Sequence, residues 1–197
     1  MKKIIILASS SPRRNEILKN AHLNFKIVKP YVKEAILKKK KISYLVIYNA
    51  KRKAEYALEK KRAGLILGVD TLVLFKNKII GKVFSKKEAK ELLKNFNGKK
   101  LAVYTGLYLI DKEKDIRISD YDKTTVYIRK FKPQKISRYL KYLGPFDKAG
   151  GFSIDSTGAV LFDNIKGSYF NVLGLPLRKL ALLLEKIGLD IFDFIRK

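Results

Sequence analysis

Between Leu65 and Phe75 the chain reads LILGVDTLVLF, a near-continuous apolar strand interrupted only by Asp70 and Thr71. A run of this kind belongs inside a sheet that other elements cover, and the flanking sequence supplies those elements. Strands alternate with helices along the chain, the pattern of an α/β domain. Residues 4–8 read as a buried first strand. Ser11 stands at an N-cap position, with Pro12 at the first helical position and Ile17, Leu18 and Ala21 facing inward. Phe25–Val28 is a short strand and residues 43–61 a long helix, while Ser85 and Glu88 have the spacing of a capping box for a helix ending near Phe96. Residues 101–110 and 117–129 read as long strands joined by the charged turn 111–115. Residues 133–143 are helical, residues 144–174 are punctuated by glycine, and Pro176 opens a helix over residues 177–187. Long, antiparallel-looking strands beside flanking helices predict a mixed twisted sheet.

The 197 residues fit one large domain or two closely joined lobes, and 47% apolar residues with 11 Tyr and 11 Phe mark a folding chain. No apolar run reaches the roughly 18–20 residues of a membrane helix. The opening MKKIIILASS resembles a signal peptide, but its apolar run is shorter than the roughly 7–15 residues of a secretory core. A cytoplasmic location is therefore expected. The absence of Cys excludes disulfides and thiolate metal sites. The net charge of +26 points toward polyanions. The lysines are spread along the chain, with one dense run at residues 38–41. A solvated basic surface is thus the first reading, steering of a small polyanion the second, and nucleic-acid binding the last.

Four segments carry candidate chemistry. In Ala8-Ser9-Ser10-Ser11-Pro12-Arg13-Arg14 a strand end runs straight into a helix start, where backbone N–H groups and the positive dipole end favour anions. The hydroxyls add donors and the arginines add planar forks for phosphate oxygens; an ordinary helix cap with two solvated arginines is the plain alternative. Asp70, beside Gly68 and Thr71, is costly on a buried strand unless it is paired, hydrogen-bonded or metal-bound. The glycine-rich loop 144–155 carries Asp147, Lys148 and Asp155, and the segment 167–177 leads into a helix start at Pro176. Glu34 is an isolated acid in a basic stretch, of the kind a hard divalent cation needs as an oxygen ligand. Lys53 and Lys82 are either phosphate clamps or solvated lysines, and His22, the only histidine, reads as a surface residue.

Taken in order, these segments resemble the Maf family of nucleotide pyrophosphatases, also described as septum-formation inhibitors. The resemblance rests on Leu7-Ala8-Ser9-x-Ser11-Pro12-Arg13-Arg14-x-Glu16-x-Leu18, Val69-Asp70-Thr71, Gly81-Lys82, Val103-x-Thr105-Gly106, Asp147-Lys148-Ala149-Gly150 and Asn171-Val172-x-Gly174-Leu175-Pro176. It covers nearly the whole chain and implies a single Maf-like domain over residues 1–197. The implied fold is an α/β one similar to the inosine-triphosphate pyrophosphatases, with two lobes around a cleft. The implied reaction is hydrolysis of nucleoside triphosphates to monophosphate and pyrophosphate, assisted by Mg²⁺ or Mn²⁺, with removal of non-standard or excess nucleotides as its use. Carried over residue by residue, Asp70 becomes the proton acceptor, and Glu34 holds the metal with Asp70. Ser9, Arg14, Lys53 and Lys82 line the phosphate path, and Arg13, Thr71 and Asp155 bear on base choice.

Arg13 and Thr71 follow the dTTP/UTP pattern of that family, whereas Asp155 stands where such members carry Gln, Val83 replaces a Pro and Phe152 replaces a Tyr. These departures leave open a preference broader than dTTP and UTP. The partner expected is a nucleoside triphosphate and no membrane, and a homodimer is compatible with the sequence. The rival reading is a basic, non-catalytic nucleic-acid-binding protein.

Overall fold

The computed structural model describes residues 3–36, 40–60, 64–81, 83, 85–142 and 154–196. Its strands are β1 (Ile5–Ala8), β2 (Phe25–Val28), β3 (Leu65–Phe75), β4 (Lys78–Ile80), β5 (Lys100–Asp111), β6 (Ile116–Ile128) and β7 (Phe162–Lys166). The helices are α1 (Pro12–Asn20), α2 (Ile42–Lys60), α3 (Lys86–Phe96), α4 (Ile136–Tyr142), α5 (Tyr169–Leu173) and α6 (Leu177–Glu185). The strands form one seven-stranded sheet in the order β2-β1-β3-β5-β6-β7, with β4 beside β3. β1 is parallel to both β2 and β3, while β3–β4 and β6–β7 are antiparallel, so the sheet is mixed as the sequence predicts. Among the described residues no helix is long and apolar enough to cross a membrane.

The parallel part follows from connectivity. α1 returns the chain from β1 to β2 and α2 from β2 to β3, as parallel neighbours require. β1 is buried along its length, and β3 is buried from Leu65 to Asp70, which matches their unbroken apolar sequences. β5 and β6 are sheet neighbours joined by only four residues, too few for a crossover, so they pair as a hairpin. Asp111 Oδ1 accepts from the backbone N–H groups of Glu113 and Lys114 and shapes that turn.

The chain divides into two compact units, one of residues 1–70, 105–122 and 174–197, the other of residues 71–104 and 123–173. In the first, Ile6, Ala8, Val28, Ala54, Ala57 and Ile66 form a cluster of buried side chains. In the second, Leu93, Phe96, Val103, Val126, Ile128 and Leu161 do so. Within the first unit α2 lies directly against strand backbone. A Cβ at Gly68 would fall 2.0 Å from the Ala50 carbonyl oxygen, and one at Gly106 would fall 2.4 Å from the Val46 carbonyl carbon. Only glycine permits that approach. It sets the next turns of α2, with Asn49 and Lys53, beside the part of β3 that carries Asp70, two residues on and on the same face as Gly68.

Several local expectations need correction. β4 is missing from the sequence reading because its turn gives a weak signal: Lys76 and Asn77 both have positive φ, 46° and 62°, without the glycine that usually marks such a two-residue hairpin. β7 and α5 lie inside the stretch read only as glycine-punctuated. A short 3₁₀ turn, Ile191–Phe194, follows α6, capped by Asp190, whose side chain accepts from the Phe192 N–H. Ser11 occupies the N-cap position of α1 without a side-chain cap bond; its own N–H donates instead to Ser9 Oγ, 3.2 Å away. Ser85 does cap α3, accepting from the Glu88 N–H, and His22 is exposed.

Candidate active site

The first unit gathers five of the residues singled out from sequence: Ser9, Arg14, Glu34, Lys53 and Asp70. Asp70 lies on β3 at 1% exposure. Lys53, from α2, is also buried, and its Nζ donates to Asp70 Oδ1 at 2.5 Å and to Glu34 Oε1 at 2.7 Å. One ammonium group thus bridges a buried carboxylate and a half-exposed one. A buried Asp without such pairing would cost several kcal/mol, which explains why α2 must bring a cation here.

A sixth residue, not recognised in the sequence, completes the arrangement. Asn49, one helical turn before Lys53, is 2% exposed. Its Nδ2 donates to Asp70 Oδ2 at 3.2 Å and to the Ala35 carbonyl at 3.2 Å, and its Oδ1 accepts from the Ala35 N–H at 2.9 Å. Asp70 therefore has each carboxylate oxygen held by a different residue of one helix.

Arg14 is buried on α1. Its Nε donates to the Gly174 carbonyl at 2.8 Å, and Nη1 donates to Ser9 Oγ at 2.9 Å and to the Val69 carbonyl at 3.1 Å. The guanidinium thus fastens the serine loop after β1, the backbone beside Asp70 and Gly174, the residue after α5. Gly174 has a φ of +100°, which turns the chain toward α6.

The charges are mutually adjusted. Burial pushes the Asp70 pKa above the ordinary carboxylate value and the Glu34 charge adds to this, against the opposing pull of Lys53 and Arg14. For Glu34, burial acts in the same direction, but the Lys53 charge and hydrogen bonds to Lys53 and Asp70 outweigh it and hold the carboxyl below its ordinary value. Burial lowers the Arg14 pKa, opposed by the charges of Asp70 and Glu34.

Glu34 and Asp70 are the oxygen donors here that could hold a hard divalent cation. Two carboxylates converge on one cationic point, and among the described residues no group of three or more Asp, Glu, His or Cys gathers. One or two carboxylates completed by water and substrate phosphate oxygens is the usual protein contribution to a Mg²⁺ site.

The remaining candidates are placed as follows. Arg13 is half-buried on α1, and Thr71 is half-buried as the residue of β3 after Asp70. Asp155 is half-buried in the second unit at the N-cap of a 3₁₀ turn, Ser156–Leu161. Lys82, and the loop carrying Asp147 and Lys148, lie outside the described residues.

Residues 4–187 match the family described as "Maf-like protein". A protein of Caldicellulosiruptor bescii named "dTTP/UTP pyrophosphatase" is 37% identical over 193 residues, covering 96% of this chain and 97% of the relative. Proteins of the same name from Methanococcoides burtonii and Bacillus cereus are 37% and 38% identical over 190 and 187 residues, covering 96% and 95% of this chain and 97% of each relative.

Proposed function

This chain belongs to the Maf family, and from that premise we propose that it is a nucleoside triphosphate pyrophosphatase cleaving the α–β anhydride bond to release monophosphate and pyrophosphate. The observation that carries the proposal is the buried Asp70 carboxylate, held by Asn49 on one oxygen and Lys53 on the other, beside Glu34. A carboxylate whose pKa is raised by burial is a better base near neutral pH than an ordinary one, and fixed hydrogen bonds keep it aimed. In the proposed reaction Asp70 takes a proton from the attacking water, the new oxygen–phosphorus bond forms, and the anhydride bond to pyrophosphate breaks.

Hydrolysis of this kind asks the protein mainly to position and to neutralise charge. Glu34 and Asp70 would hold a Mg²⁺ or Mn²⁺ ion, which supplies positive charge for the triphosphate when bound. Lys53 and Arg14 add two more positive charges at the same site, and Ser9 adds a hydroxyl. Lys82 belongs to the phosphate path in this reading by its motif, Gly81-Lys82. Chromatography of the products from one triphosphate, with and without chelator, tests the bond and the metal together. Monophosphate and pyrophosphate formed only with the divalent ion are expected. Diphosphate with orthophosphate overturns the assigned bond. No turnover, together with RNA binding that weakens steeply with salt, favours the nucleic-acid reading instead.

The substrate class proposed is pyrimidine triphosphates, with dTTP and UTP included and a tolerance wider than theirs. Support comes from the names of the relatives and from Asp155, which departs from the dTTP/UTP pattern. A Gln side chain both donates and accepts, as the imide edge of uracil or thymine requires, whereas an ionised Asp only accepts. Asp155→Gln should therefore sharpen the preference for dTTP and UTP over CTP and GTP by about 5- to 100-fold in kcat/KM, the worth of about 1–3 kcal/mol for one unpaired polar group. An unchanged ranking across the four triphosphates would remove Asp155 from base selection.

A further inference from the structure

The segment that carries Glu34 has no regular secondary structure, and residues 31–36 are joined by no strand or helix of their own. Its placement is nevertheless specific, because three residues of α2 hold it. Arg52 Nη1 donates to the Lys33 carbonyl at 2.5 Å, Lys53 binds the Glu34 carboxylate, and Asn49 takes both backbone polar groups of Ala35. The Asn49 contact imitates a rung of β-ladder: its amide accepts from the Ala35 N–H and donates to the Ala35 C=O, while its second N–H reaches Asp70 Oδ2. A single buried amide is thus bonded to the residue after Glu34 and to Asp70 itself. Both donor hydrogens of that amide and one acceptor position of its oxygen are thus engaged by protein groups.

We propose that Asn49 is a positioning residue: it fixes the separation of the Glu34 and Asp70 carboxylates and thereby sets the affinity of the site for a divalent cation. The proposal rests on the metal assignment above and deepens it. Asn49 acts through Glu34 and Asp70 and makes no bond to the ion or the substrate. Removing such a support behind metal ligands typically lowers metal affinity about 10- to 100-fold. A residue that merely filled the core would leave that affinity intact once the protein had folded.

The test measures Mn²⁺ binding without nucleotide, from the free-ion paramagnetic resonance signal, in the wild type, Asn49→Leu and Asn49→Ser. Leu keeps the branching at Cγ and loses all three bonds; Ser is polar but too short to span both Ala35 groups. Both variants should bind Mn²⁺ about 10- to 100-fold more weakly. Backbone exchange should show the Ala35 N–H protected in the wild type and at least about ten times faster in the variants. Under saturating metal KM should change less than kcat. Folded variants that lose Ala35 protection yet bind Mn²⁺ like the wild type would overturn the proposal. A freely exchanging Ala35 N–H in the wild type would overturn it even if neither variant folded. Wild-type protein that binds no Mn²⁺ would instead refute the metal assignment, a result separate from normal wild-type binding with unaffected variants.

Discussion

Asp70→Asn should lower kcat at least about 100-fold, the low end for a positioned general base, while the protein keeps its fold. Asn preserves the shape of the carboxylate and can still receive a hydrogen bond on its oxygen from Lys53 or Asn49, but it cannot take a proton from water. Burial raises the Asp70 pKa in the folded state, so its contribution to stability is full below the ordinary carboxylate value of 3.8 and is lost as pH rises through the folded value. Above that folded value the ionised carboxylate is a net cost to the metal-free protein, and replacing it with Asn should there leave Tm unchanged or raise it. Single-turnover kinetics together with metal-free thermal unfolding at pH 7 read both arms. More than a tenth of wild-type kcat retained would mean that Asp70 is not the base. A lower Tm would mean that the Lys53 ion pair contributes more than burial costs.

That site was legible from sequence to the extent that its residues broke a local pattern. Asp70 interrupts an apolar strand, Glu34 stands alone among basic residues, and Ser9 with Arg14 lies where a strand runs into a proline-started helix. Each conflict between residue and setting marks a place where chemistry, not packing, decides the choice. Asn49 broke a pattern too, since it interrupts the buried face of α2 formed by Leu45, Val46, Ala50 and Ala54. The signal there is weaker, because a lone Asn within a helix is common at the surface. Its partners, moreover, lie 14 residues before it and 21 residues after it, beyond any local spacing rule. The division of the fold was harder to see. β5 and β6 are long continuous strands in sequence, yet the boundaries of the two compact units fall within them, at residues 104–105 and 122–123. Hydrophobic periodicity reports which face of a strand is buried and carries no record of which body it is buried in.

Arg14 differs from Asp70 in being both part of the candidate site and a structural tie, so its replacement should show in two measurements at once. Of its five N–H donors, three hold Gly174, Ser9 and Val69 in place. Arg14→Ala removes a positive charge near Asp70 and takes one hydrogen bond from each of those acceptors, of which Ser9 Oγ keeps the Ser11 N–H. Loss of transition-state stabilisation of about 3 kcal/mol, or roughly 100-fold in kcat/KM, is expected from the charge. A loss of about 1–3 kcal/mol in folding stability is expected from the lost buried hydrogen bonds. Arg14→Lys separates the two effects: it restores a positive charge but not the planar fork, so it should recover part of the activity while unfolding at a lower temperature than the wild type. Lys40→Ala is the control. Lys40 is an exposed lysine whose Nζ lies 5.3 Å from the Tyr44 ring, and at physiological salt its charge is screened. Its removal should change kcat/KM less than about twofold. Steady-state kinetics and urea unfolding of the three variants decide the matter. Equal losses for Arg14→Ala and Lys40→Ala would assign the substrate's attraction to the diffuse field of a chain carrying +26 charges. A loss confined to Arg14 assigns it to a built site whose arginine binds its own protein as tightly as it serves the reaction.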